Sequence, residues 1–264
     1  MTQRPQIKPI PFRNIKLTIE YDGSLFHGWQ TQNKNERTIQ EEIEKALKFI
    51  FKSDIKLTGS GRTDSGVHAL GQVANFKAKT LMTTDQIVKA INANLPEDVV
   101  ILEAQNVKDD FHAQYSIKTK TYRYCISQRN VRPVVEQNYS LHFPHKLNLQ
   151  KMKEAAKILT GRHDFKSFQA NDPRRDFSKK GSTVRTIKQI TIKKKNNQIT
   201  IDIEADGFLY KMVRNIIGTL LDVGIKKITT LAVKEILRKK NRIFAGITAK
   251  SHGLFLLKAT YKSS

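Results

Sequence analysis

The fold of this chain is decided by residues 59–69, which read GSGRTDSGVHA. They place a carboxylate, Asp64, and a guanidinium, Arg62, in a glycine-punctuated loop between two apolar runs. Glycine tolerates positive φ and close approach to a ligand, so such a loop can project Asp64 from a fixed turn. A cation this close favours an ionised carboxylate, so we expect Asp64 to be an anion available for attack or for stabilising charge. The same residues would also suit an ordinary turn with an exposed ion pair.

Working outward from this loop, the hydrophobic pattern of the first half predicts strands alternating with helices, suited to one sheet covered on one face. Thr38 and Glu41 have the spacing of a capping box at the start of the first helix. The predicted strands are 15–21, 55–58, 72–76 and 99–107, and the predicted helices are 39–51 and 84–93.

The second half follows a similar plan, with a hairpin turn at 194–197 and Gly161 in the left-handed position that closes a helix. Its predicted strands are 122–126, 187–192, 199–203 and 254–261, and its predicted helices are 148–159, 211–223 and 230–239. Periodicity by itself supports an α+β fold. We expect a flexible tail over 1–12, a domain with the Asp64 loop over 13–110, and a second domain over 111–264 that completes a cleft.

The charge of the chain favours a polyanionic partner. Its 264 residues include 47 Lys and Arg against 24 Asp and Glu, a formal net charge of +23, and 39% hydrophobic residues suffice for a core. A genome of low GC content, or selection for solubility, would give the same balance of charges. A better pointer is the concentration of cations between residues 174 and 195, including Arg174, Arg175, Lys179 and Lys180, although a solvated edge would look alike.

The single cysteine, Cys125, rules out an intramolecular disulfide and a cysteine-based zinc motif, which fits a reducing cytoplasm. The N-terminal residues 1–11 lack an apolar signal region, and no run of about 18 apolar residues occurs. We therefore expect a cytoplasmic protein that neither enters a membrane nor carries a metal.

Seven further motifs accompany the string GSGRTDSGVHALGQV, and together they resemble the tRNA pseudouridine synthase A family in family order. Ser60 and Ser65 replace the alanines usual in that family, which are small-for-small changes. The motifs are Tyr21-Asp22-Gly23, Gly28-Trp29-Gln30, Asn92-Ala93-Asn94-Leu95-Pro96, Asp110-Phe111-His112-Ala113, Tyr122-Arg123-Tyr124, Met212-Val213-Arg214-Asn215 and Gly253-Leu254-Phe255-Leu256.

The resemblance implies a fold of two ferredoxin-like α/β halves whose antiparallel sheets join side by side, with the active site in a central cleft. It implies conversion of uridine to pseudouridine at positions 38, 39 and 40 of the tRNA anticodon stem-loop. It further implies a homodimer in which one tRNA contacts both subunits, with no cofactor.

By the same resemblance, Asp64 is the nucleophile, and its attack at C6 of the base or at C1′ of the ribose remains open. Tyr122 would stack on the uracil and take part in proton transfer at C5, although strand tyrosines are commonly structural. Arg214 would pair with Asp64, unless it is an exposed helix arginine.

The remaining site residues are expected to shape the pocket and bind RNA. Leu254 and Phe255 would close it with apolar surface and exclude water. Arg62 would fill the space left by a flipped-out nucleotide and hold a phosphate. The cluster of Arg174, Arg175, Lys179 and Lys180 would bind tRNA phosphates.

Two other functions stay open at this level. A non-catalytic RNA-binding protein explains the charge equally well, but not an aspartate in a rigid loop on a phosphate-binding surface. A metal-dependent nuclease or phosphotransferase needs converging carboxylates, for which Asp54 or Asp206 would have to approach Asp64 through the fold.

Overall fold

The computed structural model describes residues 10–30, 36–172 and 181–261, and these form an α+β structure with one large sheet. The strands are β1 Phe12–Tyr21, β2 Thr58–Gly59, β3 His68–Lys79, β4 Val99–Val107, β5 Ile117–Ser127, β6 Leu141–His142, β7 Gly161–Asp164, β8 Val184–Lys195, β9 Gln198–Ala205 and β10 Leu254–Tyr261. The helices are α1 Ile39–Phe51, α2 Thr84–Asn92, α3 Leu149–Leu159, α4 Met212–Gly224 and α5 Ala232–Lys239.

Each half of the chain contains a βαββαβ unit with the same strand order. In the first half, β4 pairs with β1, β1 with β3, and β3 with β2, all antiparallel. In the second half, β10 pairs with β5, β5 with β9, and β9 with β8, again all antiparallel. This repeated topology is the ferredoxin-like arrangement implied by the family resemblance.

The two sheets are continuous because β10 pairs with β3 in parallel, through Phe255 opposite His68 and Leu256 opposite Ala69. Farther along β3, Asn75 and Ala74 pair with β2, which is only two residues long. The strand expected over 55–58 is therefore wrong in position and length. Because one sheet runs through both halves, the division of the chain at residue 110 stays a prediction.

The helix ends show a second difference from expectation. Thr38 is the N-cap of α1, but its side chain makes no capping hydrogen bond, so the predicted capping box is absent. A complete box occurs instead at α2, where Thr83 Oγ1 accepts from Gln86 N and Gln86 Oε1 accepts from Thr83 N. Gly161 has a φ of +106° directly after α3, where positive φ was expected.

Helix α4 is the most deeply buried helix, and Arg214 lies in its first turn. Most of its residues are buried, including Ile216, Ile217 and Leu220 at 0% exposure. Backbone packing fixes its position, since a Cβ on Gly218 would lie 1.7 Å from the carbonyl oxygen of Ile247. The middle of α4 is therefore held firmly against the segment that leads into β10, and at its first turn the Ala249 amide donates to Arg214 O at 3.1 Å.

None of the helices in the described ranges is both long enough and apolar enough to cross a membrane.

Candidate active site

The loop between β2 and β3 is braced by the segment between β1 and α1. Trp29 N donates to Thr63 O at 3.1 Å, and Gly66 N donates to Phe26 O at 3.3 Å. Gly66 has a φ of +73°, as expected of a glycine that lets the chain turn after Asp64. The Val67 amide closes the turn by donating to Asp64 O at 3.2 Å. The side chain of Asp64 is thus presented from a fixed backbone.

Gln72, which the sequence analysis passed over, anchors the start of this loop. Its Oε1 accepts from Ser60 Oγ at 2.6 Å, and its Nε2 donates to Gly61 O at 3.0 Å. Gln72 and Ser60 are both fully buried. Since buried polar groups are costly to leave unpaired, this network fixes the two residues before Arg62. In the sequence, the signal for this role of Gln72 was the string Gly71-Gln72-Val73 that follows the loop.

Asp64 and Arg214 form the central ion pair, as the resemblance implied. Arg214 Nη1 donates to Asp64 Oδ2 at 2.9 Å, and Arg214 Nε donates to Ala249 O at 2.6 Å. Both side chains are largely buried, with 20% and 14% exposure for Asp64 and Arg214. In the part of the chain that the structure describes, Asp64 Oδ1 makes no hydrogen bond beside the one that Oδ2 accepts, and Asp64 lines the cleft.

Arg62 does not play the part expected of it beside Asp64. Its side chain is exposed, and the ion pair of Asp64 is made by Arg214 from the other half of the chain. Arg62 does line the same cleft, so its expected role toward a nucleotide stays open as a proposal.

The cleft measures about 950 Å³ and is lined from both βαββαβ units. Among the residues that the structure describes, six cationic side chains line it against three carboxylates. The cations are Lys56, Arg62, Lys120, Arg185, Lys211 and Arg214, and the carboxylates are Asp64, Asp172 and Asp206. This excess of positive charge around the Asp64–Arg214 ion pair suits a polyanionic substrate that undergoes chemistry at one point.

Tyr122 lies in this cleft on β5. Its ring is 8% exposed and packs edge-on against Phe208, with centroids 5.1 Å apart. Burial raises the pKa of the Tyr122 phenol, and the nearby Tyr21 and Asp64 raise it further. Tyr122 is therefore a neutral phenol at physiological pH, which favours stacking and hydrogen-bond donation over removal of a proton.

Leu254 and Phe255, which were both expected to close the pocket, lie on opposite faces of the sheet. Leu254 is 5% exposed and lines the cleft, whereas Phe255 stacks on His68 with centroids 4.7 Å apart and does not line it. Successive side chains of a strand point to opposite faces of the sheet, so both residues of β10 cannot enter one pocket. The expectation for Phe255 is thus wrong.

Lys120 is a cleft residue that the sequence analysis missed. It lies on β5 two residues before Tyr122, and Lys120 Nζ donates to Ser60 O at 2.6 Å. A Cβ on Gly61 would lie 2.2 Å from Lys120 Nζ, so the glycine makes room for the ammonium. Lys120 ties the second half of the chain to the loop that carries Asp64.

Burial lowers the pKa of the Lys120 ammonium from 10.5 to about 8. The unfolded chain therefore binds this proton more tightly, and between about pH 8 and 10.5 folding gains stability as pH rises. We expect the free energy of unfolding of the wild type, relative to Lys120→Met, to increase by on the order of 1–3 kcal/mol across that window. Urea unfolding of both proteins at pH 7.5 and 10.5 measures this difference. Parallel pH dependences would contradict the lowered pKa.

Four expected RNA contacts, Arg174, Arg175, Lys179 and Lys180, lie outside the described residues. Of the two carboxylates considered for a metal, Asp206 lines the cleft, while Asp54 pairs with Lys48 at 2.7 Å. No group of three or more His, Cys, Asp or Glu that could hold a metal ion occurs within 10–30, 36–172 and 181–261.

Comparison with known proteins places this site in a family. A family model described as tRNA pseudouridine synthase matches residues 17–116 and 155–262, which include Asp64, Arg214 and Leu254. A protein from Thermoanaerobacter sp. (strain X514) named tRNA pseudouridine synthase A is 47% identical over 94% of this chain and 100% of its own length. Relatives from Clostridium perfringens, named tRNA pseudouridine synthase A 2, and Acetivibrio thermocellus, named tRNA pseudouridine synthase A, are 45% and 42% identical over the same shares.

Among solved structures, one titled "Crystal Structure of a Cbf5-Nop10-Gar1 Complex" matches with a TM-score of 0.33 and 12% identity, over 83% of this chain and 55% of that one. A likeness this distant carries no argument about the site. The family model and the curated relatives are sufficient without it: the chain belongs to the tRNA pseudouridine synthase family.

Proposed function

We propose that this chain isomerises uridine to pseudouridine in the anticodon stem-loop of tRNA, at positions 38, 39 and 40, without a cofactor. The observation that carries the proposal is the Asp64–Arg214 pair at 2.9 Å, inside a cationic cleft built by both halves of the chain. Family membership supplies the reaction and the tRNA substrate, and the resemblance supplies the stem-loop and its positions.

The reaction breaks the bond between N1 and C1′, turns the uracil, and joins C5 to C1′. The C5 proton leaves and N1 gains a proton, so the reaction is balanced without an oxidant, a reductant or a group donor. Asp64 supplies the nucleophile through Oδ1, at C6 of the base or at C1′ of the ribose. Arg214 holds Oδ2, which orients the carboxylate before the reaction.

Two residues of the cleft retain the detached base. The Tyr122 ring packs against one face of the uracil, and Leu254 adds apolar surface that keeps water from the intermediate. Base stacking on an aromatic ring contributes roughly 1–3 kcal/mol, which is enough to hold a base while it turns. Because the pKa of Tyr122 is raised, its hydroxyl acts in this scheme as a hydrogen-bond donor, and Asp64 removes the C5 proton.

Replacing Tyr122 with phenylalanine tests this division of roles. The ring still stacks, so we expect RNA affinity within about threefold of the wild type, while the turnover number falls by about tenfold or more through loss of the hydroxyl. Single-turnover rates and filter binding on the same RNA measure the two quantities. An unchanged rate would confine Tyr122 to packing.

Arg62 is assigned to the flipped-out state of the target nucleotide, since uridine within a stem must leave the stack before it can react. Arg62 is exposed and lines the cleft, a position from which a long cationic side chain reaches the vacated space. For Arg62→Ala we expect turnover to fall more than binding, by about tenfold against threefold.

The joint replacement of Arg174, Arg175, Lys179 and Lys180 by alanine is the matched control for Arg62→Ala. It should lower affinity and reduce the slope of log K against log salt, while turnover at saturation survives. Filter binding over a salt series and rates at saturating enzyme measure both. Loss of affinity alone in Arg62→Ala would make Arg62 another phosphate contact.

Two further features belong to the proposal. A homodimer in which one tRNA contacts both subunits is supported by the family resemblance. A cytoplasmic location is supported by the tRNA substrate of the family and by the single cysteine, which requires no oxidising compartment. A non-catalytic RNA-binding protein would not need a carboxylate held by an arginine in the centre of its RNA-binding cleft.

Mapping pseudouridines in the tRNA of cells with and without this protein tests the function. We expect pseudouridine at positions 38, 39 and 40 to disappear when the protein is absent and to return with the wild-type gene. Unchanged modification at all three positions, with no other enzyme of this family in the cell, would reject the proposal.

A further inference from the structure

The loop between β4 and β5 presents an aromatic pair at the rim of the cleft. The rings of His112 and Tyr115 stack with centroids 4.3 Å apart and planes 27° apart, and both residues line the same cleft as Asp64. Tyr115 is 79% exposed, more than any other Phe, Tyr or Trp residue in the ranges that the structure describes. One face of Tyr115 is covered by His112, and the other is open.

Local hydrogen bonds fix the pair in this conformation. The Gln114 amide donates to His112 Nδ1 at 3.2 Å, and the Tyr115 amide donates to His112 O at 3.1 Å. Ser116 Oγ accepts from the His112 amide at 3.1 Å. Because Nδ1 accepts this hydrogen bond, the imidazole ring is held in one orientation beneath Tyr115.

A buried polar network anchors the same loop to the sheet. Asn75 Oδ1 accepts from the Ala113 amide at 2.9 Å, and Asn14 Nδ2 donates to Phe111 O at 2.9 Å. The Tyr261 hydroxyl donates to Ala113 O at 2.7 Å. Asn14 and Ala113 are buried, so the structure holds the backbone of this turn firmly while leaving Tyr115 in solvent.

We propose that Tyr115, backed by His112, stacks a second base of the RNA substrate, next to the uridine that reaches Asp64. A centroid separation of 4.3 Å leaves no gap between the rings, so the base stacks on the open face of Tyr115 and is not inserted between them. The nearby cations of the cleft suit the phosphates of the same strand. The inference rests on the proposed function and names a subsite of the same cleft.

The occupant is a nucleobase and not an apolar protein segment for two reasons. The exposed face belongs to one rigid ring pair within a cationic cleft, and an aromatic ring with neighbouring cations is the usual platform for unpaired bases. A fixed ring also loses little conformational entropy on binding, which matters for a ligand held by a single stacking contact.

Binding of a stem-loop RNA to the Asp64→Asn protein tests the subsite separately from catalysis. Tyr115→Ala should weaken binding by about 5- to 100-fold, while Tyr115→Phe should stay within about twofold. Phe49→Ala is the matched control, because Phe49 is 61% exposed on α1 and does not line the cleft; we expect it to bind as the parent does.

A series of RNAs, each abasic at one nucleotide around the target, identifies the stacked base. When the missing base is the one that stacks on Tyr115, the parent protein should bind the abasic RNA more weakly by the same factor that Tyr115→Ala loses on intact RNA. Tyr115→Ala should bind this abasic RNA no more weakly than it binds intact RNA. Equal affinity of Tyr115→Ala and the parent would overturn the proposal, as would a Tyr115→Ala penalty that persists on every abasic RNA. If the parent binds no stem-loop RNA but binds other RNA, the proposed substrate is wrong, and the stacking of a base on Tyr115 is then tested with the RNA that binds.

Discussion

Replacing Asp64 with asparagine is expected to abolish pseudouridine formation, with a loss of about 10⁴-fold or more in turnover, the size of loss that follows removal of a catalytic nucleophile. The amide keeps the size and shape of the carboxylate, and Arg214 keeps its bond to Ala249 O, so tRNA affinity should stay within a few-fold of the wild type. Single-turnover rates at saturating enzyme, together with filter binding, separate the two effects.

Asp202→Asn is the matched control, because Asp202 also pairs with an arginine but lies outside the cleft. Arg123 binds it through two hydrogen bonds of 2.8 Å each. This variant should keep nearly full turnover, since an ion pair on the sheet surface contributes little to stability. Asp64→Asn turnover as high as a tenth of the wild type would reject Asp64 as the nucleophile.

The second large effect is expected for Arg214→Lys. The guanidinium bonds Ala249 O through Nε and Asp64 Oδ2 through Nη1, and a single ammonium on a flexible stem cannot reproduce that fork. We expect turnover to fall by about 100-fold or more, because the Asp64 carboxylate loses its orientation. KM should stay within a few-fold of the wild type, because the RNA-binding surface is unchanged.

Arg123→Lys is the corresponding control, and its turnover should be close to that of the wild type. A circular dichroism spectrum and melting temperature for Arg214→Lys check that the N-terminal end of α4 keeps its packing. A fall in affinity equal to the fall in turnover would show that Arg214 serves mainly to bind RNA.

The sequence was sufficient for local structure wherever a short pattern determines it. The hydrophobic pattern predicted strands over 99–107 and 254–261, and the structure has β4 at Val99–Val107 and β10 at Leu254–Tyr261. Positive φ at Gly66 was also foreseeable, since a loop glycine is the residue that adopts it. The capping box was misplaced because Thr38-x-x-Glu41 and Thr83-x-x-Gln86 look alike in sequence.

Long-range contacts were beyond the pattern of residues. The pairing of β10 with β3 took the edge that β2 would have occupied, and no local signal encodes which edge a distant strand will take. The same pairing brings Arg214 to Asp64 across 150 positions of sequence. Only resemblance to a family, confirmed by the family model and the relatives, linked those two residues in advance.

Residues that act through the loop were missed for a similar reason. Lys120 appears in sequence as one more lysine among many, and only the fold reveals its bond to Ser60 O.

Phe255 was assigned to the pocket together with Leu254, although alternation along β10 excludes one of the two. Applying the strand period to the motif itself would have corrected that prediction.

The central claim is that Asp64 drives isomerisation of uridine in the anticodon stem-loop. Joining C5 to C1′ expels the hydrogen on C5, so tritium placed at C5 of uridine leaves as the product forms. With purified protein and a tRNA transcript labelled in this way, tritium release should reach the number of uridines at positions 38, 39 and 40. Release should be absent with Asp64→Asn and with a transcript carrying cytidine at those positions. Equal release from the cytidine transcript, or from Asp64→Asn, would contradict the account.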